Sequence, residues 1–284
     1  MMKFTVTRTI SAQQTLSRKL VASGKTIAIV PTMGFLHDGH LSLIRRGLKE
    51  ADVVVTTVFV NPAQFAPHED FDRYPRDMAG DLHKIRQAGS QVVFAPKVRD
   101  MYPNGYQTYV TVENLTGTLE GQSRPSHFRG VTTIVAKLFN IVRPDAALFG
   151  MKDYQQAMVL KRMTVDLNWP IKFIICPTVR EKDGLAMSSR NSYLSPELRR
   201  QAPALYRAMN DAKALVKGGA TDTAAIGERM RKVIVEIAPA AEIDYIEFTE
   251  MESLRALTQV QKNTVVSLAV KLGTVRLIDN MKIA

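Results

Sequence analysis

The sequence predicts an α/β protein in which a parallel sheet is followed by a smaller α+β domain. Over the first two thirds of the 284 residues, short apolar runs alternate with segments of helical spacing, which is typical of strand–helix–strand units with parallel strands. In the last third, two helical segments come before three strand-like runs. A chain of this length is long enough for one large and one smaller domain. We place the boundary near residue 180, so the domains cover residues 1–179 and 180–284.

Short runs of apolar or β-branched residues predict the strands of the first domain. They cover residues 4–6, 26–30, 53–60, 91–95, 146–149 and 171–176, and residues 109–112 add a strand of a peripheral hairpin. The run at 53–60 is nearly all apolar, as expected for a strand buried on both faces of a parallel sheet. Helical spacing predicts a first helix capped by Ser11 and further helices over residues 41–51, 77–88, 131–142 and 154–161.

The second domain begins with a long predicted helix. Ser195 caps it, Pro196 occupies the first helical position, and Gly218-Gly219 ends it. A second helix is predicted over residues 222–237, and strands are predicted over residues 243–248, 265–270 and 275–278.

The composition is that of an ordinary globular protein, with 23% charged residues and a single cysteine. Cys176 cannot form an intramolecular disulfide, and its apolar neighbours predict that it is buried. The N-terminus has no apolar core of signal-peptide type, and no apolar run approaches the length of a membrane span. We therefore expect a cytoplasmic protein without a membrane partner.

The net charge of +11 fits anionic small substrates, nucleic acid or an anionic membrane surface. Residues 1–179 carry 22 Lys and Arg against 14 Asp and Glu, a balance of +8, whereas residues 180–284 carry 16 against 13, a balance of +3. No run of Lys or Arg is longer than two residues, so no dedicated nucleic-acid arm is indicated.

The most informative stretch is PTMGFLHDGH, residues 31–40, between a predicted strand and a predicted helix. His37 and His40 are three residues apart at the helix start, so both imidazoles can face the same side of its first turn. Unpaired N–H groups and a partial positive charge at a helix N-terminus suit an anion. Gly34 and Gly39 permit the backbone bends of a phosphate site. The alternative is a polar turn with two surface histidines.

Four polar clusters each follow directly after an apolar strand, and they cover residues 32–40, 61–64, 150–156 and 179–190. Ligands of parallel α/β sheets bind outside the carboxyl ends of the strands. We therefore expect the four clusters to lie along one edge of the sheet. Two loops are polar. Residues 66–75 are a candidate for a loop that closes over a site, and residues 120–130 are either a substrate gate or a plain connector.

The side chains of these clusters suit phosphate and a hydroxylated carboxylate. Ser188, Ser189 and Arg190 can donate several hydrogen bonds to a triphosphate, and Lys152 adds a positive charge. Asp153 can accept from a ribose hydroxyl or cap its own helix. Gln64 and Gln156 combine donor and acceptor groups and suit a ligand with hydroxyls and a carboxylate.

The HxGH string His37-Asp38-Gly39-His40 resembles the signature of the adenylyl-transferring superfamily that includes class I aminoacyl-tRNA synthetases and small nucleotidyltransferases. The longer string PTMGFLHDGH is similar to that of the pantothenate synthetase (pantoate beta-alanine ligase) family. NPAQF, YPR, KLFN, VRPD, KDYQQ and SSRN follow in the family's order, and RLIDN matches near the C-terminus. Two residues depart from the family pattern, since Met151 stands where Glu is common and Ser126 where Gly is usual.

The resemblance implies a Rossmann-like sheet and an ATP-dependent condensation of pantoate with beta-alanine through a pantoyl adenylate, giving pantothenate, AMP and pyrophosphate. That reaction belongs to pantothenate and coenzyme A biosynthesis. The resemblance also implies Mg²⁺ bound with the ATP phosphates, a homodimer, and small-molecule substrates rather than nucleic acid.

The resemblance also assigns site residues. The implied catalytic residues are His37, His40, Lys152, Ser188, Ser189 and Arg190, with His40 as proton donor. The implied ATP-binding residues are Met33, Gly34, Phe35, Leu36, His37, Asp38, Gly39, His40, Gly150, Met151, Lys152, Asp153, Val179, Met187, Ser188, Ser189 and Arg190. Asn61, Gln64 and Gln156 are expected to bind pantoate and beta-alanine, and Asp81 is the one candidate metal ligand.

Two alternatives stay open at this point. A nucleotidyltransferase of the same superfamily would retain AMP in its product, but Gln64 and Gln156, rather than Lys or Arg, favour an acceptor without phosphate. A nucleic-acid-binding protein would use the positive charge, but the sequence has no aromatic or basic stripe.

Overall fold

The structure, a computed structural model, describes residues 2–67 and 69–284. It contains a six-stranded parallel sheet and a three-stranded antiparallel sheet, which confirms the predicted α/β fold with a smaller α+β part. The chain divides into two compact units: unit 1 is Met1–Gly150 with Gln156–Pro177, and unit 2 is Met151–Gln155 with Thr178–Ala284. Unit 2 therefore includes five residues from the middle of the chain that the predicted boundary near residue 180 leaves out.

The sheet of unit 1 is built from six parallel strands. They are β1 (Thr5–Thr7), β2 (Ile27–Thr32), β3 (Val53–Val58), β4 (Val92–Phe94), β5 (Ala146–Gly150) and β6 (Lys172–Cys176), in the order β1-β4-β3-β2-β5-β6. All six residues of β3 are buried, as predicted for a central strand with helices on both faces.

Helices follow the strands along the chain. They are α1 (Ile10–Ala22), α2 (Asp38–Gly47), α3 (Met78–Gln87), α4 (Val98–Met101), α5 (Glu120–Ser123), α6 (His127–Val142) and α7 (Tyr154–Asp166). The predicted cap of α1 is wrong by two residues, because Thr9 rather than Ser11 accepts the N–H of Ala12. Within the described part of the chain, no helix is both long and apolar enough to cross a membrane.

The predicted hairpin strand at residues 109–112 is wrong. The segment is held by side chains of α6, because the N–H of Val110 donates to Thr133 Oγ1 and Thr132 Oγ1 donates to the Val110 carbonyl. Residues 109–112 have the composition of a strand, but their hydrogen-bond partners are hydroxyl groups rather than a neighbouring strand.

Unit 2 packs three helices with the antiparallel sheet. The helices are α8 (Pro196–Gln201), α9 (Ala204–Lys217) and α10 (Thr223–Ile237), and the strands are β7 (Glu242–Glu250), β8 (Thr264–Leu272) and β9 (Val275–Lys282) in that order. The predicted single helix from Pro196 is wrong. It breaks before α9 at Pro203, since proline has no N–H to continue the helix and its ring crowds the preceding turn.

The strand order places the four strands that precede the predicted clusters side by side. The clusters follow β2, β3, β5 and β6, and these four parallel strands are neighbours in the order β3-β2-β5-β6. Their carboxyl ends therefore lie side by side, where α/β proteins bind ligands.

Candidate active site

The turn between β2 and α2 has an unusual backbone. Gly34 and Phe35 both have positive φ, +87° and +51°, which is disfavoured for a residue with a side chain such as Phe35. Thr32 Oγ1 accepts the N–H of Gly34 at 3.2 Å and donates to the Thr57 carbonyl at 2.6 Å. The turn is thus tied to the neighbouring strand β3.

Asp81, from α3, stabilises this turn. Its carboxylate is 1% exposed and accepts the N–H groups of Phe35 and Leu36, each at 2.8 Å. Lys84, one turn further along α3, donates to the Leu36 carbonyl at 2.8 Å. A Cβ on Gly34 would lie 2.9 Å from Asp81 Oδ2, so glycine is required there by contact as well as by φ. The metal role expected for Asp81 stays a prediction; the contacts seen for it are with the backbone.

His37 and His40 cap helix α2 reciprocally. His37 Nδ1 accepts the N–H of Gly39 at 3.2 Å, and His40 Nδ1 accepts the N–H of His37 at 3.4 Å. The ring centroids are 4.1 Å apart. Because an Nδ1 that accepts carries no proton, each neutral ring must hold its proton on Nε2. The cap therefore gives both histidines the tautomer that donates from Nε2, as an anion requires.

Asn61 orients Gln64 after strand β3. Asn61 is 1% exposed, and its Nδ2 donates to Gln64 Oε1 and to the Gly130 carbonyl, both at 3.1 Å. Its Oδ1 accepts from the Tyr102 hydroxyl at 2.8 Å. Gln64 Nε2 lies 3.0 Å from Met33 Sδ, which brings the second predicted cluster to the first. The contacts of Asn61 serve to orient Gln64, and a contact of Asn61 with substrate stays a prediction.

The carbonyl of Gln64 is held from the start of α6. His127 Nδ1 lies 2.9 Å from the carbonyl oxygen and must donate to it, and Arg124 Nη2 donates to the same oxygen at 3.2 Å. Arg124 also forms a two-pronged ion pair with Glu69, at 2.5 and 2.7 Å. Burial raises the pKa of Glu69, but the hydrogen bonds and the charge of Arg124, together with the N–H of Ala66, outweigh burial and leave the pKa below its ordinary value. The sequence predicted a connector or gate here and missed this bracing.

His127 should make stability depend on pH. Burial, with the nearby charge of Arg124, lowers its pKa from 6.5 to about 4, although Glu120 and Glu69 oppose the shift. In the unfolded chain His127 therefore binds a proton below pH 6.5, whereas in the folded chain it binds one only below about pH 4. The contribution of neutral His127 to the free energy of unfolding is fully present above pH 6.5. Up to about 3 kcal/mol of it should be lost as the pH falls through about 4.

His127→Asn keeps a donor for the Gln64 carbonyl but does not titrate. We expect urea unfolding between pH 7 and pH 4 to lose less stability in this variant than in the unmodified protein. Parallel pH profiles of the two proteins would contradict the assignment of a neutral, buried His127.

Residues 151–155 of the third cluster and the whole of the fourth cluster lie in unit 2. Met151–Asp153 form a 3₁₀ turn, and Asn280 Nδ2 donates to the carbonyls of Met151 and Lys152 at 2.9 and 2.8 Å. Lys152 Nζ lies 3.4 Å from Asp153 Oδ1. Since the Met151 contact is made by its backbone, Met in place of the family's usual Glu does not disturb it.

The segment over residues 179–190 is internally bonded. The N–H of Met187 donates to the Val179 carbonyl at 3.0 Å, and Ser188 Oγ caps the following 3₁₀ turn by accepting the N–H of Arg190 at 3.3 Å. Ser189 is 8% exposed. Ser188 therefore shapes the backbone that presents Ser189 and Arg190.

The predicted site residues thus fall into two sets. Unit 1 contains residues 33–40, Asn61, Gln64, Asp81, Gly150 and Gln156, whereas unit 2 contains residues 151–153, 179 and 187–190. Within unit 1, the contact of Gln64 with Met33 connects the turn after β3 to the turn after β2. Within unit 2, Asn280 and its neighbour Asp279 contact both predicted phosphate segments.

Comparison with known proteins gives consistent matches over nearly the whole chain. The family model described as Pantoate-beta-alanine ligase matches residues 5–282. A pantothenate synthetase from Geobacter sulfurreducens is 51% identical over 95% of each chain, and one from Moorella thermoacetica is 52% identical over 96% of each.

Solved structures agree with these sequence matches. A crystal structure of pantothenate synthetase from Thermus thermophilus is 41% identical and superposes with a TM-score of 0.92, covering 98% of this chain and 99% of that one. A pantoate-beta-alanine ligase from Francisella tularensis, complexed with beta-gamma ATP and beta-alanine, is 31% identical with a TM-score of 0.82, covering 99% of this chain and 98% of that one.

Proposed function

Because the chain belongs to the pantoate-beta-alanine ligase family, we propose that it activates pantoate as a pantoyl adenylate before joining it to beta-alanine. The protein is an ATP-dependent ligase that forms pantothenate, and the match of the family model to residues 5–282 is the observation that carries this conclusion. The adenylate route and the roles of individual residues are the parts that we add.

The first step makes a poor electrophile reactive. A carboxylate oxygen of pantoate attacks the α-phosphorus of ATP, a new P–O bond forms, and the bond from that phosphorus to the β-phosphate oxygen breaks, releasing pyrophosphate. Negative charge builds up on the transferring phosphate, so donors placed beforehand lower the barrier most. His37 and His40 supply Nε2–H groups there, at the N-terminus of α2. His40 is the residue that we assign as proton donor.

We assign the remaining phosphate contacts to Lys152 and to residues 188–190. Lys152 supplies a positive charge, and Ser188, Ser189 and Arg190 supply hydroxyl and guanidinium donors that match phosphate oxygens. The nucleotide itself is bound along the backbone of four short segments, namely residues 33–34, 150–153, 179 and 187.

The second step forms the amide. Gln64 and Gln156, with Asn61 behind Gln64, hold the hydroxyls and carboxylate of pantoate. The amine nitrogen of beta-alanine attacks the acyl carbon of the adenylate, the C–O bond to AMP breaks, and AMP leaves with the electron pair and one former carboxylate oxygen. The nitrogen then loses a proton to solvent, and pantothenate is released.

Mg²⁺ belongs to the proposal as a companion of ATP. Among residues 2–67 and 69–284, no group of three or more His, Cys, Asp or Glu side chains is placed to hold a metal ion. Mg²⁺ commonly binds through substrate phosphates and water with one or two carboxylates, so we assign it to the phosphates of ATP. It would supply charge neutralisation there, and no step above depends on a protein-bound ion.

The homodimer and the cytoplasmic location expected from the resemblance remain part of the proposal. Relatives that share about half of their residues with this chain are pantothenate synthetases, which are biosynthetic enzymes, and this supports a similar setting.

Product analysis tests the proposed function. With ATP, Mg²⁺ and pantoate, pyrophosphate release should stop at about one equivalent per enzyme, and adding beta-alanine should give sustained turnover with equal amounts of AMP and pantothenate. Retention of AMP in the product would indicate a nucleotidyltransferase instead. Formation of ADP in place of AMP, or no nucleotide turnover by folded protein, would overturn the proposal.

A further inference from the structure

The RLIDN string near the C-terminus lies on strand β9 and has no role in the mechanism above. Its last two residues, Asp279 and Asn280, are polar yet buried, with 4% and 5% of their surfaces exposed. Buried polar side chains are tolerated when they are well hydrogen-bonded, so their partners indicate why they are there. Here the partners belong to the two segments that we assign to ATP binding.

Asn280 fixes the two peptides that flank Lys152. Its Nδ2 uses both N–H donors on the carbonyls of Met151 and Lys152, at 2.9 and 2.8 Å. Its Oδ1 is buried and has no hydrogen-bond partner within the described residues. The opposite orientation of the amide would place that oxygen against two carbonyls, which would repel it. All the polar contacts of this amide are therefore directed at the turn that carries Lys152.

Asp279 fixes the start of the other segment. Both carboxylate oxygens accept from Arg180, at 2.6 and 3.0 Å, and Arg180 also donates to the Gly184 carbonyl at 3.1 Å. The guanidinium lies 4.3 Å from the centre of the Tyr206 ring. Gly184 has a φ of +95°, and a Cβ there would lie 2.0 Å from Tyr206 Cδ1. This bracing holds the chain that leads directly into Ser188, Ser189 and Arg190.

The two anchors are adjacent on a rigid element. Asp279 and Asn280 are paired in β9 with Leu268 and Ser267 of β8, and Asp279 Oδ1 also accepts the N–H of Asn280 at 2.8 Å. Successive residues of a strand are about 3.3 Å apart along its axis. Because successive side chains point to opposite faces of a sheet, the single peptide between Asp279 and Asn280 fixes the separation of their backbones, and each side chain reaches its own segment from there.

We propose that Asp279 and Asn280 are positioning residues that hold the Lys152 turn and the segment over residues 179–190 in register, so that both sets of phosphate donors act on one triphosphate. The inference rests on the proposed role of Lys152. It goes beyond a purely structural role of β9, which would stabilise unit 2 without affecting ATP in particular.

A double-mutant cycle tests the inference, with Asn280→Leu and Lys152→Ala made singly and together. Asn280→Leu has a similar volume but no donors, and we expect it to lower kcat/KM for ATP about 10- to 100-fold, as small misplacements of reacting groups do. KM for pantoate should change by less than about twofold. Because Asn280 acts through Lys152, the double variant should be little worse than Lys152→Ala alone.

Val270→Ala is the matched control. Val270 is a fully buried residue of β8, and its truncation should lower the urea concentration at which the protein unfolds while leaving kcat/KM for ATP within about twofold. If Asn280→Leu fails to fold, Asn280→Ser, which keeps one donor, takes its place in the same cycle.

The outcomes distinguish the phosphate role proposed for Lys152 from the positioning role proposed for Asp279 and Asn280. An unchanged kcat/KM in Lys152→Ala would remove the phosphate role of Lys152 and, with it, the basis of the inference. A large loss in Lys152→Ala, combined with an additive effect of the Asn280 variant or with no effect of it, would overturn the positioning role alone.

Discussion

Replacing His40 with alanine is expected to lower kcat by on the order of 10² to 10⁴, the range for a positioned acid or a principal electrostatic donor. The effect should be in kcat rather than in KM for pantoate, because the Nε2–H of His40 is assigned to charge that develops during phosphoryl transfer. Steady-state kinetics with saturating ATP and pantoate provide the measurement.

His40 also caps a helix, so the structural effect must be separated from the chemical one. Its Nδ1 accepts the N–H of His37, and loss of a cap costs about 0.5–2 kcal/mol. His40→Asn offers Oδ1 in place of Nδ1 and keeps the cap but removes Nε2, so it should be nearly as inactive as His40→Ala. His83→Ala, at an exposed position of α3, should keep full activity. A folded His40→Asn protein with a near-normal rate would refute the role of Nε2.

Gly130→Ala is expected to destabilise the protein and to raise KM for pantoate. A Cβ at this position of α6 would lie 2.1 Å from the Ala63 carbonyl oxygen and 2.6 Å from the Gln64 N atom. Alanine usually stabilises a helix interior relative to glycine by about 0.5–1 kcal/mol. Here the added methyl meets backbone rather than a mobile side chain, so the overpacking cost of about 1–3 kcal/mol or more should outweigh that gain.

The matched control is Gly227→Ala in α10. A Cβ there would meet only Phe248 Cε2, at an ordinary contact distance of 3.5 Å, so this change should be neutral or stabilising by up to about 1 kcal/mol. Urea unfolding of both variants, with KM for pantoate, measures the difference. Equal stability of the two variants would contradict the tight packing of α6 against the turn that carries Gln64.

The parts of the fold with local periodic signals could be predicted from the sequence. The apolar run containing β3 and the segment after Pro31 predicted a buried parallel strand and a helix start, and the structure has both. The clusters after β2, β3, β5 and β6 were predicted to share an edge, and the strand order confirms that their strands are neighbours.

The contacts that brace the site could not be predicted, because they join residues far apart in sequence without any repeating pattern. Asp81 bonds to backbone 45 and 46 residues earlier, and Asn280 bonds to carbonyls 128 and 129 residues earlier. A single Asp or Asn gives no sign of such a partner. The metal role expected for Asp81 stays a prediction, but nothing in the sequence indicated its bonds to the turn before His37. The strand predicted at 109–112 was wrong because the hydroxyl partners on α6 leave no local signal.

The most direct test of the adenylate route is to follow oxygen from pantoate into AMP. When both carboxylate oxygens of pantoate are ¹⁸O, attack on the α-phosphorus followed by cleavage of the acyl C–O bond should transfer one labelled oxygen to each AMP formed, detected by mass spectrometry. AMP without label, or label in pyrophosphate, would show that the carboxylate does not become bonded to the α-phosphorus and would contradict the mechanism proposed here.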